Sequence, residues 1–323
     1  MPLAGKRFWE NVTFAELIAR RMTAEERRSY LELHVAVLLF GFTAILGDLI
    51  QLAALLIVWW RVLITSFSLA PIARPRQLFR QLELRVLWRF AGIGVLVALH
   101  WLTFFGAAKL ANASVCLVAM ATTSFFAAIL EPFIVKRPFY WYELALGLLI
   151  IPGMALIVNS LDFSMIPGVI SGLVSAFLAS LFSTLNKKYI RHTDPLRITF
   201  LELSSAWGFL SIVLMGMLLL GRDFGNFLPP RPLDWLFLGI LALLCTSLAY
   251  VLAMRALRHL SAFASNLTIN LEPVYGIALA WVLLKENEEL GPNFYWGVVI
   301  ILVAVFSYPL LRRYLRRRGL LEA

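Results

Sequence analysis

Charge is scarce in this sequence: 15% of its 323 residues are Asp, Glu, Lys or Arg, against about 25% in an ordinary soluble domain. Cysteine is scarcer still. Cys116 and Cys245 both sit in apolar runs, where a thiol behaves as a small buried hydrophobe, so neither a disulfide framework nor a cysteine metal site is expected. The four histidines, His34, His100, His192 and His259, are scattered. With no HExxH, no GxSxG and no Cys/His grouping, no catalytic residue, metal or cofactor is assigned. A Walker motif is also missing, which leaves nothing in the chain to couple to ATP. Segments of about 10 residues with alternating polarity, the mark of a membrane β-barrel, do not occur. The first thirty residues lack the 7–15-residue apolar core of a secretory signal, and Glu10, Glu16, Glu25 and Glu26 argue against a transit peptide. Residues 1–30 read as a cytoplasmic segment. It is either an amphipathic surface helix with Phe8, Val12 and Ala15 on one face, or a flexible tail.

What the chain has in abundance is apolar surface: 61% hydrophobic residues and a mean hydropathy of +0.82. A helix crosses a hydrocarbon core with about 20 apolar residues. Runs of that length lie at 31–50, 53–72, 86–106, 111–134, 139–159, 166–185, 196–220, 235–256, 261–284 and 294–314. The expected fold is an all-α membrane protein of ten transmembrane helices. The net charge of +10 is explained by where the basic residues fall. With the N-terminus in the cytoplasm, only Lys109, Arg222, Arg231 and Lys285 fall outside, and Arg61 falls within a helix. That asymmetry obeys the positive-inside rule and places both termini in the cytoplasm. No nucleic-acid partner is needed to account for it. Nothing in the N-terminal segment addresses an organelle, which favours a bacterial inner membrane.

Sliding the chain on itself by 149 positions lays the segment beginning His100-Trp101 over that beginning Ala249-Tyr250. In both, an aromatic helix end is followed by a small-residue hairpin and a long apolar run. Residues 31–160 and 161–314 are thus two five-helix repeats, followed by a basic cytoplasmic tail at 315–323. Five spans per repeat invert the second copy. The loop after the fourth span is basic (Lys136, Arg137), and the one after the ninth is acidic on balance (Lys285, Glu286, Glu288, Glu289). Inverted repeats are typical of secondary transporters, whose site lies between the repeats near the bilayer midplane. Duplication also yields membrane proteins that transport nothing.

The chain resembles the EamA-like family of the drug/metabolite transporter superfamily. The resemblance rests on Gly41-Phe-Thr-Ala-Ile-Leu-Gly47, Trp59-Trp60-Arg61, Trp101-Leu-Thr-Phe-Phe, Ala111-Asn-Ala-Ser114, Ser261-Ala262 and Asn270-Leu-Glu272-Pro273-Val-Tyr275-Gly276. It implies a ten-helix inverted-repeat carrier with a cavity among spans one, three, four, six, eight and nine, often exporting metabolites or amino acids. Asp48 and the long charged N-terminal segment depart from the pattern.

Polar residues at membrane depth are the candidates for the site, because a charge at a helix centre costs about 2.5–3.5 kcal/mol on insertion scales and needs a partner or water. Arg61 reads as a counter-charge for an anionic group or as half of a structural ion pair. Glu272 reads as an amine or proton site, or as the partner of Arg61. Pro273 after it predicts a kink, since proline removes a backbone donor and clashes with the preceding turn. His100 is a proton relay or a helix-helix hydrogen bond. Trp101, Phe104, Phe125, Tyr250, Tyr275 and Trp281 would form aromatic walls. Asn266 and Asn270 share a face, with Glu272 about 160° from Asn270. One cavity takes them all only if the helix unwinds. Glu131, Glu143 and Glu202 near cytoplasmic ends suit salt bridges with Lys136, Arg137 or Arg197, and Asp48 lies near the outer surface. Gly168 and Gly172 match GxxxG and predict close packing of span six, without specifying an oligomer. The sequons at Asn112 and Asn266 lie at or inside spans and are set aside.

The leading expectation is a secondary carrier of an amino acid or other small amphipathic solute, by proton coupling or by facilitated diffusion. A non-transporting accessory subunit is the second alternative, and an intramembrane enzyme the third.

Overall fold

A computed structural model describes residues 23–158, 163–272, 275–276, 279 and 292–317. Among the described residues there are no strands. The first half runs through α1 (Ala24–Leu49), α2 (Ala54–Ala73), the short α3 (Pro75–Gln81), α4 (Leu84–Leu110), α5 (Ala113–Met120), α6 (Thr123–Val135) and α7 (Trp141–Val158). The second comprises α8 (Ile166–Tyr189), α9 (Pro195–Leu219), α10 (Pro232–Ala242), α11 (Ala249–His259), α12 (Ala262–Ile269) and α13 (Pro292–Arg317). A π-helical stretch, Leu243–Leu248, joins α10 to α11.

Among the described residues, seven stretches are long and apolar enough to cross a membrane: α1, α2, α4, Ala113–Val135, Phe163–Tyr189, α9 and Pro232–His259. The apolar windows within α7 and α13 are shorter, Trp141–Ile150 and Tyr295–Tyr308. Large apolar side chains such as Phe67, Ile212 and Phe306 stand exposed on the helix flanks. Lipid, which is as apolar as they are, is the solvent that suits them. The chain is an integral membrane protein.

The first span begins earlier than its apolar run suggests. Thr23 and Glu26 form a reciprocal capping box (Glu26 N to Thr23 Oγ1 3.0 Å, Thr23 N to Glu26 Oε2 3.1 Å). Glu25 and Glu26 then favour the positive end of the helix dipole. The helix thus starts at Ala24, inside the segment expected to precede it. The expected surface helix with Phe8, Val12 and Ala15 lies outside the described residues, as does the tail beyond Arg317.

Two spans are broken in the same way. Asn112 caps α5 by accepting from Val115 N at 2.8 Å, and Ser261 caps α12 by accepting from Ala264 N at 3.0 Å. Each half-helix ends in a two-residue break, Ala121-Thr122 and Asn270-Leu271. Cap and break recur 149 positions apart. Asn270 Nδ2 donates to Ser124 Oγ at 2.8 Å and fastens one break to the other. The predicted kink at Pro273 lies outside the described residues, and the break precedes it.

The helices close around these breaks. Helix α8 runs along α4 and α5, and Gly168 and Gly172 allow the approach, because a Cβ there would fall 2.6 Å from the Cβ of Ala111 and of Ala119. Helix α1 lies along α11, α9 spans α2 and α4, and α7 packs on α13.

Candidate functional site

The breaks open onto one cavity. It is lined by Arg61 of α2, His100 and Trp101 of α4, Thr123 of α6, Asn186 of α8, Tyr250 of α11, Asn266 of α12 and Glu272 beyond the second break. Trp101 and Tyr250, 149 residues apart, meet edge to face with ring centroids 6.2 Å apart. Thr123 and Glu272, also 149 apart, are the first residues past the two breaks. The family pattern gave no lining role to span two, which contributes Arg61. Phe125 is not among the lining residues, and Trp281 lies outside the described ones.

Arg61 is 1% exposed, and the π-helical stretch explains how it is held. Its Nε donates to Thr246 Oγ1 and one terminal nitrogen to the Cys245 carbonyl at 3.3 Å. One and two turns further along the same face of α2, Thr65 donates to the Ala242 carbonyl at 3.0 Å and Ser68 meets Ser247 at 3.0 Å. A π-bulge puts the helical hydrogen-bond ladder out of step, and side chains from α2 use the carbonyls it offers. The guanidinium lies 4.0 Å over the Trp101 ring, a cation–π contact. Its other terminal nitrogen has no partner among the described residues.

Glu272 is 5% exposed, and among the described residues it has neither an ion pair nor a hydrogen bond. The expected Arg61–Glu272 pair is not formed: two opposite charges face one cavity without closing on each other. On an unbroken helix Asn266 and Glu272 would point apart, and the break brings both to the cavity. Asn266 donates to Ser183 at 2.8 Å. Asn270 turns away to Ser124, and Tyr275 packs beside Gly41 rather than in the lining.

His100 is tied to α8. Its Nδ1 lies 3.0 Å from the Ser175 carbonyl and 2.8 Å from Ser175 Oγ. Ser175 Oγ donates back to the His100 carbonyl at 2.9 Å. This is the helix-helix bond that the sequence allowed.

The expected salt bridges hold for two carboxylates and fail for a third. Glu131 and Glu143 both pair with Arg137. Glu131 also accepts from Ala262 N at 2.9 Å and Phe263 N at 2.8 Å, so the end of α6 caps the start of α12. Burial works against the Arg137 charge, but the two carboxylates outweigh it and raise its pKa above the ordinary arginine value. Glu202, expected to reach water or a salt bridge near a cytoplasmic end, is 0% exposed and unpaired with Arg197. Arg197 donates to Gln81 instead. Glu202 accepts from Tyr250 Oη at 2.7 Å and Asn186 Nδ2 at 3.2 Å.

The cavity is offset toward one end of the bundle. Leu33, Asn186, Leu257 and Ser265 line it on the side where Lys187 bonds the Leu257 carbonyl and Glu131 caps α12. The opposite end is sealed. There Lys109 donates to the carbonyls of Asp48 (3.0 Å) and Ile50 (3.2 Å), and Arg231 to that of Leu49 (2.7 Å). Asp234, wholly buried, pairs with Arg231 at 2.6 Å and accepts from Gln51 N at 3.2 Å. Beneath this seal Ile45, Phe105, Cys116 and Leu117 are buried.

Sequence reasoning missed Asn186, the π-helical partners of Arg61, and the Arg231–Asp234 seal. Only the last left a trace, a basic residue three before an acid at a helix start.

A solved crystal structure has the same fold, matching 89% of this chain and 98% of its own with a TM-score of 0.64 at 15% identity. No curated protein matches the chain. The model of the EamA-like transporter family matches twice, over residues 28–159 and 166–308. Those two matches cover nearly all of the described helices, and the chain belongs to the EamA-like transporter family.

Proposed function

We propose that the protein is a secondary carrier of small amphipathic metabolites, with free amino acids the first class to test, working by alternating access through the cavity between its two repeats. One observation carries the reading: Arg61 and Glu272, buried at membrane depth, face the same cavity and do not pair. Each charge costs about 2.5–3.5 kcal/mol at a helix centre, so a structural role alone would favour their contact. A zwitterion supplies both missing partners. Its carboxylate meets the unpartnered Arg61 nitrogen and its ammonium meets Glu272, while Trp101 and Tyr250 wall the apolar remainder.

The architecture we infer is ten spans in two inverted copies. The matching breaks support it, since discontinuous helices at the repeat interface are how such carriers build midplane sites. By the positive-inside rule both termini are cytoplasmic, so the cavity faces the cytoplasm and the Asp234 end is closed. Export across a bacterial inner membrane is the direction we propose, as the family resemblance implies.

The test loads sealed proteoliposomes with a mixed metabolite extract and imposes a pH gradient. Mass spectrometry compares wild type, Glu272→Ala and empty vesicles. Amino acids or other zwitterions should cross with wild type and slow at least tenfold with Glu272→Ala. If folded wild type moves nothing, the carrier reading falls and an accessory subunit takes its place.

A further inference from the structure

Resting on the carrier reading, we propose that Glu202, with Asn186 and Tyr250, forms a site for a monovalent coupling cation, separate from the pair of charges that faces the substrate.

Glu202 is a carboxyl inside the helix bundle with 0% exposure, and both of its hydrogen-bond partners among the described residues are neutral: the Tyr250 hydroxyl and the Asn186 amide. Nearby cations are engaged elsewhere. Arg61 is held by Thr246 and Cys245, Lys187 donates to the carbonyls of Leu257 and Arg258, and Arg89 lies over the Tyr189 ring. Helix α4 packs on the Glu202 turn through Gly94, where a Cβ would fall 2.1 Å from the Glu202 carbonyl oxygen. No charge reaches Glu202 from that face. A buried carboxyl is paired with a cation, coordinates a metal or is neutralised by a proton, and among the described residues no cation is bonded to Glu202.

The oxygens left over show what is missing. Glu202 Oε1 and Asn186 Oδ1 are both buried and among the described residues both lack a donor. Since the Asn186 amide nitrogen already touches the carboxylate, these two acceptors belong to one small cluster. A carboxylate with two unmet oxygens in its cluster would take a single positive charge, a proton on the carboxyl or a sodium ion held by these oxygens. Hard cations take oxygen ligands of this kind.

The cluster is also wired to the cavity. Asn186 and Tyr250 line it, whereas Glu202 lies behind them. A substrate that draws the Tyr250 hydroxyl toward itself removes a hydrogen bond from Glu202 and changes its hold on the cation. By linkage, an occupied cation site shifts substrate affinity by the same factor.

The experiment first measures binding without substrate. Thermal unfolding midpoints of the purified full chain are compared between wild type and Glu202→Gln, in sodium against choline at fixed pH, and then across pH 5 to 9 without sodium. A ligand that binds only the folded state raises the midpoint with its concentration. A sodium response present in wild type and lost in Glu202→Gln assigns sodium. A pH response that loses one proton's worth of slope in the variant assigns the proton. Equal responses in both proteins to both cations overturn the proposal, whether or not the protein transports. If Glu202→Gln is not recovered folded, Glu202→Asp serves in its place, and a response no weaker than wild type overturns it. With an isotope-labelled amino-acid mixture as probe, Glu202→Gln should keep exchange across the membrane but lose gradient-driven accumulation at least tenfold. Loss of both modes in wild type as well would mark failure of the carrier reading instead.

Discussion

Arg61 shows how one side chain is specified by a neighbouring helix. Its planar fork meets Thr246 and the Cys245 carbonyl and lies over Trp101 while one nitrogen stays free. An ammonium is a compact point charge that cannot reproduce this geometry, so Arg61→Lys is not conservative here. A hydrogen bond to a charged group contributes about 1.5–3 kcal/mol. At about 1.4 kcal/mol per decade, Arg61→Lys should slow initial amino-acid flux in proteoliposomes about tenfold to a hundredfold at unchanged folded yield. Flux at the wild-type rate would remove the guanidinium from the substrate site. The depth of Arg61 and Glu272 was legible in the sequence, because a charge in a long apolar run is conspicuous. Their failure to pair was not, since it depends on where the helices break and on a π-bulge that no local residue pattern announces. The salt bridge expected for Glu202 failed for a related reason: its distance along the span said nothing of Tyr250 and Asn186, which reach it from other helices.

At the scale of elements, the half-helices α5 and α12 are each short of the length that stabilises a helix by itself, so caps and packing must hold them. Replacing a capping Asn or Ser with Ala typically costs about 0.5–2 kcal/mol. Asn112→Ala should show that loss as a lower thermal midpoint in detergent. Ser261→Ala should lose less, because Glu131 still accepts from Ala262 N and Phe263 N at the same helix end. Glu131→Gln should lose more than Ser261→Ala, since it removes a negative charge from Arg137 as well as from the helix start. Equal midpoints for Asn112→Ala and Ser261→Ala would mean that the second cap adds nothing. The end of α6 carries a smaller, opposite effect. Lys136 holds φ +61 there, a conformation costing an L-residue roughly 1–2 kcal/mol, so Lys136→Gly should raise the midpoint. The repeat offset of 149 was visible in the sequence as a similarity of layout. The breaks were not, because Ala121-Thr122 and Asn270-Leu271 share no residue type, and Pro273 drew the expected kink downstream.

For the whole molecule, the proposed alternating access asks for a second state in which the cavity at one end and the seal at the other trade ends. The apolar runs announced the membrane, and the distribution of basic residues announced an orientation. Which end is shut is decided by contacts between residues far apart in the chain, Arg231 with Leu49 and Asp234 with Gln51, and no hydropathy pattern holds that information. The seal rests on few groups. Asp234 joins Arg231 to the Gln51 amide, and its amide replacement would lose the charge that holds the half-exposed Arg231 over that end. Asp234→Asn should therefore weaken the closed end and shift population toward the state open there. The two native cysteines report this without added labels, since Cys116 and Cys245 are free and buried. In oriented proteoliposomes a membrane-impermeant maleimide should leave both thiols of wild type largely unmodified. With Asp234→Asn, Cys116, below the seal, should react several-fold faster from the Asp234 side and no faster from the other. Faster labelling from both sides would indicate general loosening of the bundle, and unchanged labelling from the Asp234 side would show that the Arg231–Asp234 pair does not hold that end shut.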